Sequence, residues 1–191
     1  MPNYEYEFEH HLDRTLKEFA AALHELQPEH FEIPDEEVTA PPAATGSGTF
    51  PPDVIAAAQA SHNAWKIPAS VTLAQWALES NWGRAMPAGS NNPFGIKAAA
   101  GQPYVKATTR EVIRGQSVNV VARFRRFASM SEAFDQHGRL LATAHPYAHA
   151  RTLANNPNAF ADALTGVYAT DPNYGTALKR IMKSHNLYQY D

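Results

Sequence analysis

The chain of 191 residues contains no cysteine, which excludes disulfides and any cysteine-based metal centre. No apolar run is long enough to span a membrane, although 44% of the residues are hydrophobic. The start, Met1-Pro2-Asn3-Tyr4-Glu5, lacks the basic n-region and apolar h-region of an ordinary secretory signal. The expectation is synthesis in the cytoplasm without a conventional leader, so that work beyond the cytoplasm needs another export route. No phosphate-binding glycine loop is present, and Ser61-His62, Ser184-His185 and Asp162 show no nucleophile-elbow pattern. His145 and His149 are four apart, but Pro146 interrupts that helix and no Glu follows His145 directly. No metal and no cofactor is therefore expected.

Charge is unevenly distributed. Residues 1–40 hold 11 acidic and 2 basic residues, net −9, whereas residues 41–191 hold 8 acidic and 14 basic residues, net +6. A mildly basic body suits an anionic polymer. Its arginines, Arg110, Arg114, Arg123, Arg125 and Arg126, form no nucleic-acid motif, and a solvated charged face is their default reading.

Three regions follow along the chain. Residues 1–32 form an acidic extension in which Phe8, Leu12, Leu16, Phe19, Leu23 and Leu26 make a helical stripe over 4–26, ended by Pro28. Residues 33–51, rich in Pro and Gly, read as a linker. Residues 52–191 form the body. A helix is predicted over 52–65 with Pro52 in its first turn, and Pro68 starts a second that Gly83 closes. Residues 84–103 are irregular. Residues 104–113 and 117–127 read as a hairpin turning at Arg114-Gly115-Gln116. Helices return after a Ser129–Glu132 capping box, at Pro157 with Phe160, Leu164 and Val167, and at Pro172, capped by Asp171, with Leu178, Ile181 and Met182. Helices around one short hairpin make an α+β domain.

Carboxylates are scarce in the body, and Glu79 is the most unusual of them. It lies in Leu73-Ala74-Gln75-Trp76-Ala77-Leu78-Glu79-Ser80-Asn81-Trp82-Gly83, an apolar helical run. Trp76 and Trp82 stand three residues to either side, at same-face spacing. Glu is rarely buried without a partner. Its position at a helix C-terminal end is also unfavourable to the helix dipole. Apolar surroundings raise a carboxyl pKa, and a carboxyl still protonated near neutrality can act as a general acid. The bland alternative is a side chain that reaches water.

Glu111, on the first predicted strand, is the only acidic residue between Glu79 and Glu132. One carboxylate on a helix facing another on a β lobe is the layout of glycoside hydrolysis. On its own, Glu111 reads as an exposed strand residue paired with a nearby Arg. Tyr168 and Tyr174 bracket Ala169-Thr170-Asp171-Pro172-Asn173; a tyrosine there can present its hydroxyl to a sugar, or simply pack. Asn91, Asn92 and Phe94 form a polar-aromatic loop suited to an acetamido group and a ring face, or to ordinary turn chemistry.

Taken together and in order, these pieces resemble the glucosaminidase domains of glycoside hydrolase family 73. They are Ile67-Pro68-Ala69-Ser70 leading into the Glu79 helix, Asn91-Asn92-Pro93-Phe94-Gly95-Ile96-Lys97, Thr108-Thr109-Arg110-Glu111, Phe124-Arg125-Arg126-Phe127 and Tyr168-Ala169-Thr170-Asp171-Pro172-Asn173-Tyr174. The resemblance covers about 52 to 190 and none of residues 1–50. It implies a lysozyme-like fold with a small β-hairpin lobe, and a bacterial enzyme that acts at the cell wall. The implied reaction is hydrolysis of the β-1,4 bond after N-acetylglucosamine in peptidoglycan glycan strands. Glu79 matches the general acid, Glu111 the β-lobe carboxylate, and Tyr168 a tyrosine that stabilises the reacting sugar. The substrate's own N-acetyl group is a candidate nucleophile. Asn92, Phe94, Trp82 and Tyr174 complete the candidate sugar-contacting set. Two rivals stand beside this reading. A lytic transglycosylase needs one carboxylate, and a non-catalytic wall-binding or scaffold module would bind without turnover. The acidic extension is a candidate docking element for a secretion-system, phage or immunity partner, or a cover for the basic groove.

Overall fold

The computed structural model describes residues 50–113 and 116–191, with the side chains of 109–118 outside the described set. The helix expected over 4–26 and most of the expected linker lie outside the described residues. Phe50, assigned to the linker by composition, is instead a core residue with 3% exposure. Its ring lies against Trp76 and Trp82, so the packed body begins at least two residues before Pro52.

Helix α1 spans Pro52–Trp65, with Pro52 in the first turn and Asp53 favouring the positive end of the dipole. Val54, Ala57, Ala58 and Ser61 form its buried face. It closes on Lys66, a left-handed residue whose N–H donates to the carbonyl of His62. Helix α2 spans Ala69–Glu79 and is buried on nearly every side, from Ala69 continuously to Ala77. A helix apolar all round is a central one, and α2 packs on α1 and on the later helices. Its N-terminal amides need partners. Asp191 supplies one from far along the chain, accepting from both the backbone N–H and the hydroxyl of Ser70 at 2.8 Å each.

Strands β1 (Tyr104–Ile113) and β2 (Gln116–Arg125) pair antiparallel, Tyr104 opposite Arg125 and Ile113 opposite Gln116. The second strand thus starts and ends slightly earlier than the sequence suggests. The irregular segment before β1 docks on the base of this hairpin. Lys97 bridges to Phe124, the Ala98 N–H donates to Arg123 O, and the Arg125 N–H donates to Ile96 O.

Helix α3 spans Met130–Thr143. The Ser129 hydroxyl accepts from the Glu132 N–H at 3.1 Å, as expected of a capping box. The Glu132 carboxylate reaches back to the Ala128 N–H, one residue earlier than the usual pattern. Gly138 allows α3 to cross α1 closely: a Cβ there would lie 2.1 Å from Ser61 Oγ. A short 3-10 turn, His145–Tyr147, leads into α4 (Ala148–Arg151), then α5 (Pro157–Ala163), α6 (Tyr174–Ser184) and a last 3-10 turn, Leu187–Tyr190.

Two predicted helices differ from the observed ones. Pro157 opens α5, capped by Asn156, but the helix stops at Ala163, so Leu164 and Val167 pack from the following turn. The last helix starts at Tyr174, not Pro172. Asp171 accepts from the Asn173 N–H in a side-chain turn ahead of it. The architecture is the expected α+β one, a helical body carrying a two-stranded hairpin. Among the described residues no helix is long and apolar enough to cross a membrane.

Candidate active site

Glu79 is the last residue of α2 and is 2% exposed. Packing of the whole apolar helix drives it inward, and burial is the main reason its pKa rises from 4.5 to about 7. One hydrogen bond opposes that rise. The Tyr174 hydroxyl donates to Glu79 Oε1 at 2.6 Å, a short bond that favours the ionised carboxylate. Tyr174 opens α6, and Gly175 brings it within reach. A Cβ on Gly175 would meet the Ala161 carbonyl oxygen at 2.8 Å, so only glycine lets α6 approach α5 this closely. Gln75, one turn before Glu79 on the same face, donates its Nε2 to the Tyr174 hydroxyl at 3.0 Å.

Tyr168 stacks on Tyr174 with centroids 5.6 Å apart and planes 15° apart. Burial, then the charge of Glu79, keeps the Tyr168 hydroxyl protonated. That hydroxyl has no partner among the described residues. His137 meets the Tyr168 ring edge-on at 5.9 Å, and burial lowers its pKa to about 3, leaving it neutral. The buried side-chain polar atoms without a described partner belong to Gln75, Trp76, Tyr168 and His137. Two of these residues lie within one turn of Glu79 on α2. The other two continue the ring chain from Tyr174. Buried polar groups are normally satisfied, and Gln75 and Tyr168 flank the Glu79–Tyr174 pair directly.

The chain leaves α2 through an unusual turn. Asn81, Trp82 and Gly83 all have positive φ, at 45°, 59° and 79°; for a bulky residue such as Trp82 this is a true outlier. Ser80 holds the turn, its hydroxyl donating to the Trp76 carbonyl at 2.6 Å and accepting from the Gly83 N–H at 2.8 Å. The helix thus ends at Glu79, and Gly83 closes the turn rather than the helix. Trp76 and Trp82 still meet edge-to-face at 6.3 Å, through this turn rather than along one helix face. Trp82 also packs on Phe50 and His185.

Three expected sugar contacts are placed differently. Phe94 has 0% exposure and is stacked on His137 at 3.9 Å, with Phe134 edge-on at 5.0 Å; its ring faces the core. Asn92 is also fully buried. Its Nδ2 donates to Ile96 O and Arg125 O, and its Oδ1 accepts from the Ile96 N–H. It is a clasp between loop and hairpin, with its hydrogen-bonding capacity taken up by the backbone. Tyr174 points at the acid rather than outward. Trp82 alone of the four is half-buried, with surface left to meet a ligand. Glu111 takes its place on β1 opposite Val118, and its side chain lies outside the described residues. His145 and His149 join no metal-binding group among the described residues.

Gln75, His137 and Asp191 were not singled out by the sequence. Gln75 carries a signal in hindsight, a polar side chain four residues before Glu79 on an apolar helix. His137 sits at the spacing of Phe134 and Leu141 on one helix face.

Comparison with known proteins agrees with this geometry. A family model described as glucosaminidase, mannosyl-glycoprotein endo-beta-N-acetylglucosaminidase, matches residues 55–187. A probable N-acetylmuramidase of Lactococcus lactis subsp. cremoris is 34% identical over 158 residues, covering 78% of this chain and 36% of that protein. The exo-glucosaminidase LytG of Bacillus subtilis is 31% identical over 140 residues, covering 70% of this chain and 50% of the relative. The chain therefore matches half or less of the length of these relatives. The catalytic domain of the autolysin Auto from Listeria monocytogenes superposes with a TM-score of 0.68 at 29% identity, covering 78% of this chain and 91% of that domain. A buried acid at the end of a central helix, the ordered motifs around it, the fold and the extent of the family match agree: this chain belongs to the glucosaminidase family.

Proposed function

We propose that the chain hydrolyses peptidoglycan glycan strands, cutting internally at the β-1,4 bond that follows N-acetylglucosamine. The observation that carries this reading is the Glu79 carboxyl, almost fully buried at the end of α2 and hydrogen-bonded by Tyr174 through Oε1, where burial raises its pKa to about 7. Below about pH 7 most of it is protonated, and it can give its proton to the glycosidic oxygen as the bond from that oxygen to C1 breaks. Positive charge then develops at the sugar ring. Either a water attacks C1 directly, or the substrate's acetamido oxygen does so first and a water then displaces it from C1; Glu111 is the proposed acceptor of that water's proton. Tyr168, a fully buried neutral hydroxyl not bonded to any described residue and stacked on Tyr174, is the proposed stabiliser of the reacting sugar from beneath the site. Trp82 is the proposed aromatic contact of the cleft. The acidic extension is proposed to engage a delivery or immunity partner, with action at the wall after export, injection or lysis.

A second reading is a lytic transglycosylase, which needs only one carboxyl. The names of the relatives also divide between glucosaminidase and muramidase activity. Mass spectrometry of the ends released from purified peptidoglycan separates these outcomes. Reducing N-acetylglucosamine ends are expected. Anhydromuramic ends would move the chain to the transglycosylase class, and reducing muramic ends would move the cleaved bond.

A further inference from the structure

Glu79, Tyr174 and Gln75 form one hydrogen-bonded line, and its direction carries chemical information. A neutral tyrosine hydroxyl has a single hydrogen. Burial, then Glu79, keeps Tyr174 neutral by raising its pKa far above the ordinary value. An amide Nε2 can only donate, so the Gln75 contact at 3.0 Å occupies the acceptor side of the Tyr174 oxygen. The tyrosine hydrogen is then committed to the short 2.6 Å contact with Glu79 Oε1. Oε1 is thereby held as an acceptor, whether Glu79 is ionised or neutral.

We propose that Gln75, acting through the Tyr174 hydroxyl, dictates which oxygen of Glu79 carries the acid proton. Oε1 receives the tyrosine hydrogen bond, and the proton available to the glycosidic oxygen sits on Oε2. Gln75 and Tyr174 are positioning residues, and this role rests on the reading of Glu79 as the general acid. The consequence is a fixed acid geometry. With Tyr174 removed, the proton would distribute over both oxygens. Hydrogen bonds in such a line reinforce each other, so Gln75 also makes Tyr174 a better donor.

The line has a sign that a pH profile reads. A hydrogen bond donated to Glu79 favours its ionised form, and it lowers the carboxyl pKa against the upward push of burial. Tyr174→Phe should therefore move the alkaline limb of the rate profile on purified peptidoglycan upward by about one pH unit, with a lower plateau rate. Gln75→Leu should move it the same way by less. Because Gln75 acts through Tyr174, the double variant should move no further than Tyr174→Phe alone. The same shifts should appear in the 13C titration of the Glu79 carboxyl, measured on the folded proteins without substrate. Thermal unfolding of each variant reports loss of packing separately, and if Tyr174→Phe does not fold, the Gln75→Leu shift alone carries the test.

A downward shift would mean that Glu79 donates to Tyr174, the reverse of the proposed direction. An unmoved titration, or additive shifts in the double variant, would remove the proposal as well. If instead Glu79→Gln retains wall-degrading activity, the general-acid reading fails, while the carboxyl titration still judges the hydrogen-bonded line on its own.

Discussion

Replacement of Glu79 by glutamine is expected to reduce clearing of purified peptidoglycan by about 10²- to 10⁴-fold, the usual scale of a lost general acid or base. Glutamine has the same shape, and its amide oxygen can accept the Tyr174 hydrogen, so the fold should be kept. Stability should even improve at higher pH. The folded carboxyl has a pKa of about 7 against 4.5 for the unperturbed group, so the folded state holds the proton more tightly. Its contribution to stability is full below about 4.5 and is lost as pH rises through about 7. The total loss is roughly 3 kcal/mol. Glu79→Gln removes this dependence, so its Tm advantage over the native chain should grow from pH 4.5 to pH 7 and then level. His137, buried and neutral, tilts stability the other way in acid, but it is common to both proteins and drops out of the difference. Activity near the native level in the variant, or a Tm below the native one at every pH, would contradict this account.

Phe94→Ala separates a packing role from a sugar-contact role. The ring is fully buried, stacked on His137 and edge-on to Phe134. Truncating a buried phenylalanine to alanine leaves a cavity as well as losing transfer energy, and the expected cost is about 3–5 kcal/mol. Chemical denaturation should show a lower midpoint with a similar slope, and molecules still folded should retain the native KM for glycan. A raised KM with unchanged stability would instead place Phe94 in the cleft. The loop that carries it is held from both sides by Asn92, so its loss should also loosen the base of the hairpin.

The parts of this structure readable in advance are those fixed by neighbouring residues. Pro52 starts α1, and Ser129 with Glu132 caps α3, because such caps act within one turn. The burial of Glu79 was readable because apolar side chains surround it along its own helix. Residues whose partners lie far along the chain were not. Tyr174 looked equally suited to a sugar or to the core, and only the approach of α6 to α5 at Gly175 aims it at Glu79 across 95 residues. Phe94 and Asn92 look like binding-loop residues in sequence, yet their loop folds inward because the hairpin base needs its backbone groups paired. The left-handed Trp82 runs against the local expectation that glycine or asparagine supplies such angles. Local rules are most often broken where backbone strain is stored, and this strain lies beside Glu79. Asp191 shows the same limit from another side, since nothing near it in sequence points to the start of α2.

The most direct measurement is the titration of the Glu79 side chain itself, by 13C NMR on protein labelled at the glutamate carboxyls, with Glu79→Gln identifying the resonance. A midpoint near pH 7 is expected for a carboxyl sealed in the core and held by one tyrosine. A midpoint near the ordinary 4.5 would mean that Glu79 is ionised throughout the neutral range, and it would contradict its role as a proton donor there.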